Sequence, residues 1–234
     1  MEGKEMTERE NIMNRIRAAL RVPAPHPGLH GAVTHELPAK KSSDMAVQQW
    51  LPPGGESFAD QVEHFRARSA ELKTDFQMLA SADEAQATLA KIADTEKWQR
   101  IATHQGALTD TAVNWLGLSA LTTTGGYDVN KLEACDAGIT ECDALIAQTG
   151  SVIVTSRNSG GRALSVLPPH HVVLARRDQL VRDLSAGFAL VQKKYASKYP
   201  SMISVVTGPS RTGDIERILV LGAHGPKKLT ILCW

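Results

Sequence analysis

Cysteine is scarce in this chain and basic residues are not in excess, and these two shortages already remove several classes of function. The three cysteines, Cys135, Cys142 and Cys233, are odd in number and follow no tight spacing, which argues against a disulfide framework. No Cys-x-x-Cys occurs, so the usual iron–sulfur and structural-zinc patterns are missing and no metal ligands are assigned. Lysine and arginine number 26 against 25 acidic residues, a formal net charge of +1, whereas nucleic-acid binding usually needs a basic excess gathered on one face. Apolar runs reach only about seven residues, far short of the ~20 that cross a bilayer. The N-terminal stretch has no apolar core of the signal-peptide kind, which points to the cytoplasm. There is no Gly-x-Ser-x-Gly elbow, Rossmann fingerprint or phosphate loop, and Gly125-Gly126 and Gly160-Gly161 read as turn glycines.

What is present suits an α/β protein. The 234 residues are 42% hydrophobic and 22% charged, enough to cover a sheet with helices. Thr7 and Glu10 have capping-box spacing ahead of an apolar stripe, so a short amphipathic helix is expected first. Six prolines then fall at positions 23, 25, 27, 38, 52 and 53; each removes an amide donor and biases its predecessor towards extended backbone. Residues 1–56 are therefore expected to be a helix and an extended arm, and residues 57–234 the α/β domain. Within the domain, helices are expected from Ser57, Ser81, Asp110 and Asp178, and strands at 74–80, 98–103, 172–175, 202–206, 218–221 and 229–233. The stretches 144–149 and 151–156 flank Gly150 and read as a hairpin. Strands alternating with helices imply parallel pairing.

Three stretches carry polar chemistry. The first, Thr207 to Glu216 (TGPSRTGDIE), follows an apolar strand and is expected to open a short helix. Free amides at such a helix start, the Ser210 and Thr212 hydroxyls and the Arg211 fork would cradle an anion. The bland alternative is a capped helix start with Arg211 paired to Asp214. The second, Arg162 to Leu174, places His170 and His171 after two prolines at the start of a buried strand. Strand alternation sends them to opposite faces, and histidine titrates near neutrality. A hydrogen bond to a turn carbonyl for one and solvation for the other is the commoner outcome. The third holds Asp136, Glu141 and Asp143, either a cation or proton-transfer site or, more commonly, caps and loop charges. His224 lies between Gly222, Gly225 and Pro226, in a turn.

In their order, DAGIT at Asp136, IAQTGSVIV at Ile146, LPPHHVVL at Leu167, TGPSRTGDIE and LVLGAHGPKKL resemble the lactate-utilisation protein C family, the stand-alone form of the LUD domain. The resemblance covers roughly the last hundred residues. It implies a ribose-phosphate-isomerase/CoA-transferase-like open sheet flanked by helices. It also implies an accessory subunit of an iron–sulfur lactate-oxidising system, with no cofactor in this chain and the cluster in a partner. The expected partners are an iron–sulfur protein, a Cys-rich subunit and a small anionic metabolite, with room for an oligomer. The positions matching the motifs are Thr149, Gly150, His171, Gly208, Ser210, Arg211, Asp214, Glu216 and His224; Thr212 joins them as a hydroxyl donor. His171 is the expected general base, because His170 stands where an aliphatic residue is usual. Gln148 replaces a common Glu, which favours binding over covalent chemistry. The rival reading is an independent enzyme acting on a nucleotide, CoA or sugar-phosphate substrate.

Overall fold

The computed structural model describes residues 8–21, 52–196, 198–213, 219–222 and 224–234. The chain divides into two compact units, Met1–Trp50 and Leu51–Trp234. In the first, the described residues form helix α1 (Glu8–Arg21); Thr7 and the proline-rich arm up to residue 51 lie outside the described residues.

The second unit is built on six parallel strands. They are β1 (Asp75–Met78), β2 (Arg100–Thr103), β3 (Ser119–Thr122), β4 (Ala137–Glu141), β7 (His170–Ala175) and β12 (Lys228–Cys233), in the order β1-β12-β7-β4-β2-β3. Strands running the same way need crossovers. Three helices supply them: α3 (Ala82–Thr95) after β1, α4 (Ala107–Leu116) after β2 and α5 (Val129–Glu133) after β3. All six residues of β7 are buried, as expected of an inner parallel strand covered on both faces. Helix α2 (Phe58–Glu71) precedes β1, and its Ser57–Asp60 capping box is complete.

A smaller sheet has the order β8-β5-β6-β9. Strands β5 (Ala144–Ile146) and β6 (Ser151–Thr155) form the expected hairpin around Gly150. Strand β9 (Ile203–Val206) pairs antiparallel to β6, and β8 (Leu180–Val181) parallel to β5. Strand periodicity divides the core accordingly. Val173, Ala175, Leu229, Ile231 and Cys233 cluster with Leu145, Val152 and Val154 of the smaller sheet and Phe65 of α2. Val172, Leu174 and Leu232 turn the other way, to Ala85 and Leu89 of α3 and Ala112 of α4.

Two expectations change here. The helix expected from Asp178 is a 3-10 turn (Arg177–Gln179), then β8, then helix α6 (Leu184–Tyr195) capped by Asp183. Its buried residues are Gly187, Val191 and Tyr195, while Phe188 is exposed. A Cβ on Gly187 would come 3.0 Å from Ile153, so glycine lets the helix lie close to the sheet. The second change is larger. The stretch after Gly208-Pro209-Ser210 is not a helix start but strand β10 (Arg211–Gly213), paired antiparallel with β11 (Leu219–Leu221).

Gly138 in β4 offers a direct check on this packing. A Cβ there would sit 2.4 Å from the Leu164 carbonyl oxygen and 3.0 Å from Pro168 Cγ. Gly138→Ala is expected to destabilise the domain by about 1–3 kcal/mol, the usual cost of overpacking, read from a lowered urea midpoint at unchanged slope.

Candidate functional site

Helix α3 ends with a C-cap at Glu96, after which Lys97 takes the left-handed conformation (φ 57°) and returns the chain to the sheet. This turn delivers the Glu96 carboxylate to the N-terminal edge of β7 and β12. Pro168 and Pro169 end the preceding loop, and the Pro169 carbonyl accepts the Lys227 amide at 2.8 Å, which fixes where β7 and β12 begin. His170 opens β7 on the α3 face. Its Nδ1 lies 3.0 Å from Glu96 Oε2 and its Nε2 lies 2.9 Å from Thr230 Oγ1 of β12. The Glu96 carboxylate also accepts the Lys228 ammonium at 2.7 Å and the Trp98 indole N–H at 3.3 Å. The Trp98 ring meets the imidazole edge-on at 5.3 Å.

Glu96, His170 and Thr230 all line one cavity of about 220 Å³, together with Lys73, Asp75 and Lys227. Burial lowers the pKa of His170, against the pull of Glu96. The imidazole is therefore neutral near pH 7, and its contact with Glu96 is a hydrogen bond rather than an ion pair. Glu96 is held below the usual carboxylate range: burial opposes this, but the bonds from Lys228 and His170 outweigh it.

Pro209 lines the same cavity, which brings the Gly208–Arg211 turn to its rim. Gly208 has φ +86°, and a Cβ there would lie 3.1 Å from the Leu72 carbonyl oxygen. The Arg211 guanidinium donates to that carbonyl at the C-terminal end of α2, where a cation is favoured by the helix dipole. Thr149 joins the turn through hydroxyls: Ser151 Oγ donates to Thr149 Oγ1 at 2.7 Å and lies 2.8 Å from Thr207 Oγ1. Gly150 (φ +64°) packs on Arg68 of α2. The Ser210 amide is used by the Pro226 carbonyl at 2.9 Å, and its carbonyl accepts the Gly222 amide. His224 is exposed in the neighbouring turn. The structure thus gathers Thr149, Gly150, Gly208, Ser210 and Arg211 around one turn, which leads into strand β10. The Thr212 backbone is in β10, while Asp214 and Glu216 lie outside the described residues.

His171 faces the other side of β7. It is 1% exposed, its Nε2 lies 2.8 Å from Thr140 Oγ1, and its Nδ1 has no hydrogen-bond partner among the described residues. Burial pushes its pKa down to about 3. It is His170, not the expected His171, that meets the cavity. Glu96 and Thr230 stand 74 and 60 residues from His170, so no local motif could have disclosed them. The three carboxylates of 136–143 follow the bland reading. Asp136 accepts the Gln99 and Arg100 amides, Glu141 accepts the Leu108 amide at the start of α4, and Asp143 holds Lys194 and Tyr195. No group of three or more metal-ligating side chains occurs among the described residues.

A central parallel sheet flanked by helices, with a second sheet hydrogen-bonded apart from it, defines the class of protein as open-sheet α/β. The LUD domain family matches residues 62–233, so this chain belongs to the LUD domain family. A solved structure of a DUF162 family protein from Deinococcus radiodurans shares the fold with a TM-score of 0.60 and 23% identity, covering 76% of this chain and 99% of that one. Curated relatives named lactate utilization protein C include those of Halalkalibacterium halodurans (39% identical over 106 residues), Bacillus subtilis (32% over 106) and Deinococcus radiodurans (35% over 103). Each match covers 44% of this chain and 44–48% of the relative, so the matched region spans under half the length of these proteins. Among the described residues no helix is long and apolar enough to cross a membrane.

The buried His171 gives the domain a pH dependence of known sign. The unfolded chain binds a proton below about pH 6.5, whereas native His171 does not until about pH 3. Stability is therefore lost as pH falls through that window, by about 2 kcal/mol from this residue between pH 7 and pH 5. His171→Gln is expected to flatten the slope by that amount in urea denaturation at the two pH values, and parallel slopes would contradict it.

Proposed function

We propose that this chain serves lactate utilisation as a subunit with no electron-transfer centre of its own, working beside an iron–sulfur protein and a Cys-rich subunit. The process follows from the name that its relatives carry. The division of labour rests on one observation: the three thiols are buried and are split between two apolar clusters. Cys142 and Cys233 lie in the apolar cluster between the sheets, and Cys135 lies in a different one against Leu132 and Leu164. Burial raises the pKa of all three, that of Cys233 to about 12 and that of Cys142 well above the ordinary value. Thiols sealed in apolar surroundings in this way behave as inert packing residues.

The ligand in this reading is a small carboxylate or phosphate, held where the Gly208–Arg211 turn meets the cavity beside His170. Lys73 and Lys227 line that cavity, and of its two carboxylates Glu96 is already tied to Lys228 and His170. A volume of about 220 Å³ suits a hydroxy acid and falls below the ~300 Å³ at which sites for larger ligands begin. That size favours a small anion over a nucleotide or CoA.

Thermal-shift titration with lactate, pyruvate, phosphate, ATP and CoA tests the reading. A small anion at a hundredfold excess over its Kd adds about 2.7 kcal/mol of stability. Arg211→Ala and Lys227→Ala are expected to abolish the shift while keeping the native circular dichroism. A shift with ATP or CoA alone, or a small-anion shift that survives both substitutions, would contradict it.

A further inference from the structure

We propose that Glu96, His170 and Thr230 form a proton-transfer triad that makes the Thr230 hydroxyl a nucleophile towards small anionic esters or thioesters seated in the adjoining cavity. The inference goes beyond a role in lactate utilisation and does not depend on it. It stands on the order of the atoms. A carboxylate oxygen lies 3.0 Å from imidazole Nδ1, and imidazole Nε2 lies 2.9 Å from a hydroxyl, which is the arrangement by which such triads are recognised whatever their sequence positions.

The direction of proton transfer follows from the donors available. Glu96 is ionised and can only accept, so His170 carries its proton on Nδ1. Nε2 is then bare, and the bond to Thr230 has the hydroxyl as donor. Glu96 at Nδ1 sets this tautomer, the Trp98 ring packs edge-on against the imidazole, and Lys228, at 2.7 Å, holds the other carboxylate oxygen of Glu96. Asp75 Oδ2 lies 3.5 Å from Thr230 Oγ1, a long contact beside the short one to His170. Thr230 and His170, both nearly buried, line the same cavity as Lys73 and Lys227, whose ammonium groups suit the charge that develops on a carbonyl oxygen and a negative charge on the substrate.

In the reaction, Thr230 Oγ bonds to the acyl carbon as its proton passes to His170 Nε2. The carbon–oxygen or carbon–sulfur bond to the leaving group then breaks, and that group departs with the proton from Nε2. Water attacks the Thr230 ester by the same route in reverse, releasing the acid and restoring the hydroxyl. The sum is ester or thioester plus water giving acid plus alcohol or thiol, with no other reactant. Thr230 and His170 are the reacting groups; Glu96 is a positioning residue.

The full chain incubated with 4-nitrophenyl acetate and with the anionic mono-4-nitrophenyl succinate tests the proposal, by nitrophenolate release and by peptide mass mapping of the trapped acyl group. The expected result is saturable hydrolysis that favours the anionic ester, with the acyl group on Thr230. Thr230→Val and His170→Gln should each reduce the rate about a hundredfold or more, whereas Thr230→Ser should retain it. Glu96→Gln should lower the rate and displace its pH profile, while Glu96→Asp restores part of it, which a purely structural role would not do. Acyl groups on lysines alone would overturn the proposal, as would an undiminished rate in His170→Gln. If Thr230→Val does not fold, His170→Gln and the acyl position in Thr230→Ser decide the matter.

Discussion

The seat of strand β7 between β4 and β12 is the constraint on which the rest of the structure depends. Its six residues are buried and the first five are paired on both sides, with His170 opposite Ala137 and Lys228, and His171 opposite Gly138 and Leu229. A strand enclosed in this way has no freedom of register, because a one-residue slip would exchange its two faces. The slip would place the imidazole of His171 against α3 and that of His170 between the two sheets. The chemistry of two adjacent, identical residues is thus decided by pairing. One His meets a carboxylate, a hydroxyl and a cavity; the other is sealed against Thr140, with a nitrogen that has no partner among the described residues.

The placement of the cavity follows from the same geometry. Ligands of open α/β sheets commonly collect at the carboxyl ends of the strands, where the strand order reverses. Here the order reverses at β2, whose neighbours are β4 and β3. That edge is filled by the protein itself. Glu141 caps α4, and His104, with Nδ1 2.9 Å from the Gln105 carbonyl, accepts the Glu141 amide on Nε2 at 3.2 Å. The cavity with charged walls lies instead at the opposite edge, where β1, β12 and β7 begin and the Gly208–Arg211 turn reaches the rim.

Much of the fold was legible in the sequence because it is locally encoded. Ser57 and Ser81 cap helices through their own side chains, Gly150 turns a hairpin, and Pro168-Pro169 stop a loop before a buried apolar run. The reading of Thr207 to Glu216 misled at Arg211–Gly213, because a strand followed by Gly-Pro-Ser is compatible with a helix start. Its pairing with β11 and with the Pro226 carbonyl is not visible locally. The site was legible only in part. Strand alternation required that His170 and His171 diverge, yet nothing in their neighbourhood said which would meet a cavity. The deciding partners, Glu96 and Thr230, come from a helix end and a strand far along the chain, chosen by topology rather than by spacing.

The central claim is that His170, in a fixed tautomer, faces an accessible anion-accepting cavity while His171 does not. Nitrogen-15 NMR of the imidazole rings during titration with lactate measures this directly. The account predicts a neutral His170 protonated on Nδ1, whose Nε2 resonance moves with saturation while His171 stays fixed. A proton on His170 Nε2, or movement of His171 with His170 unaffected, would contradict it.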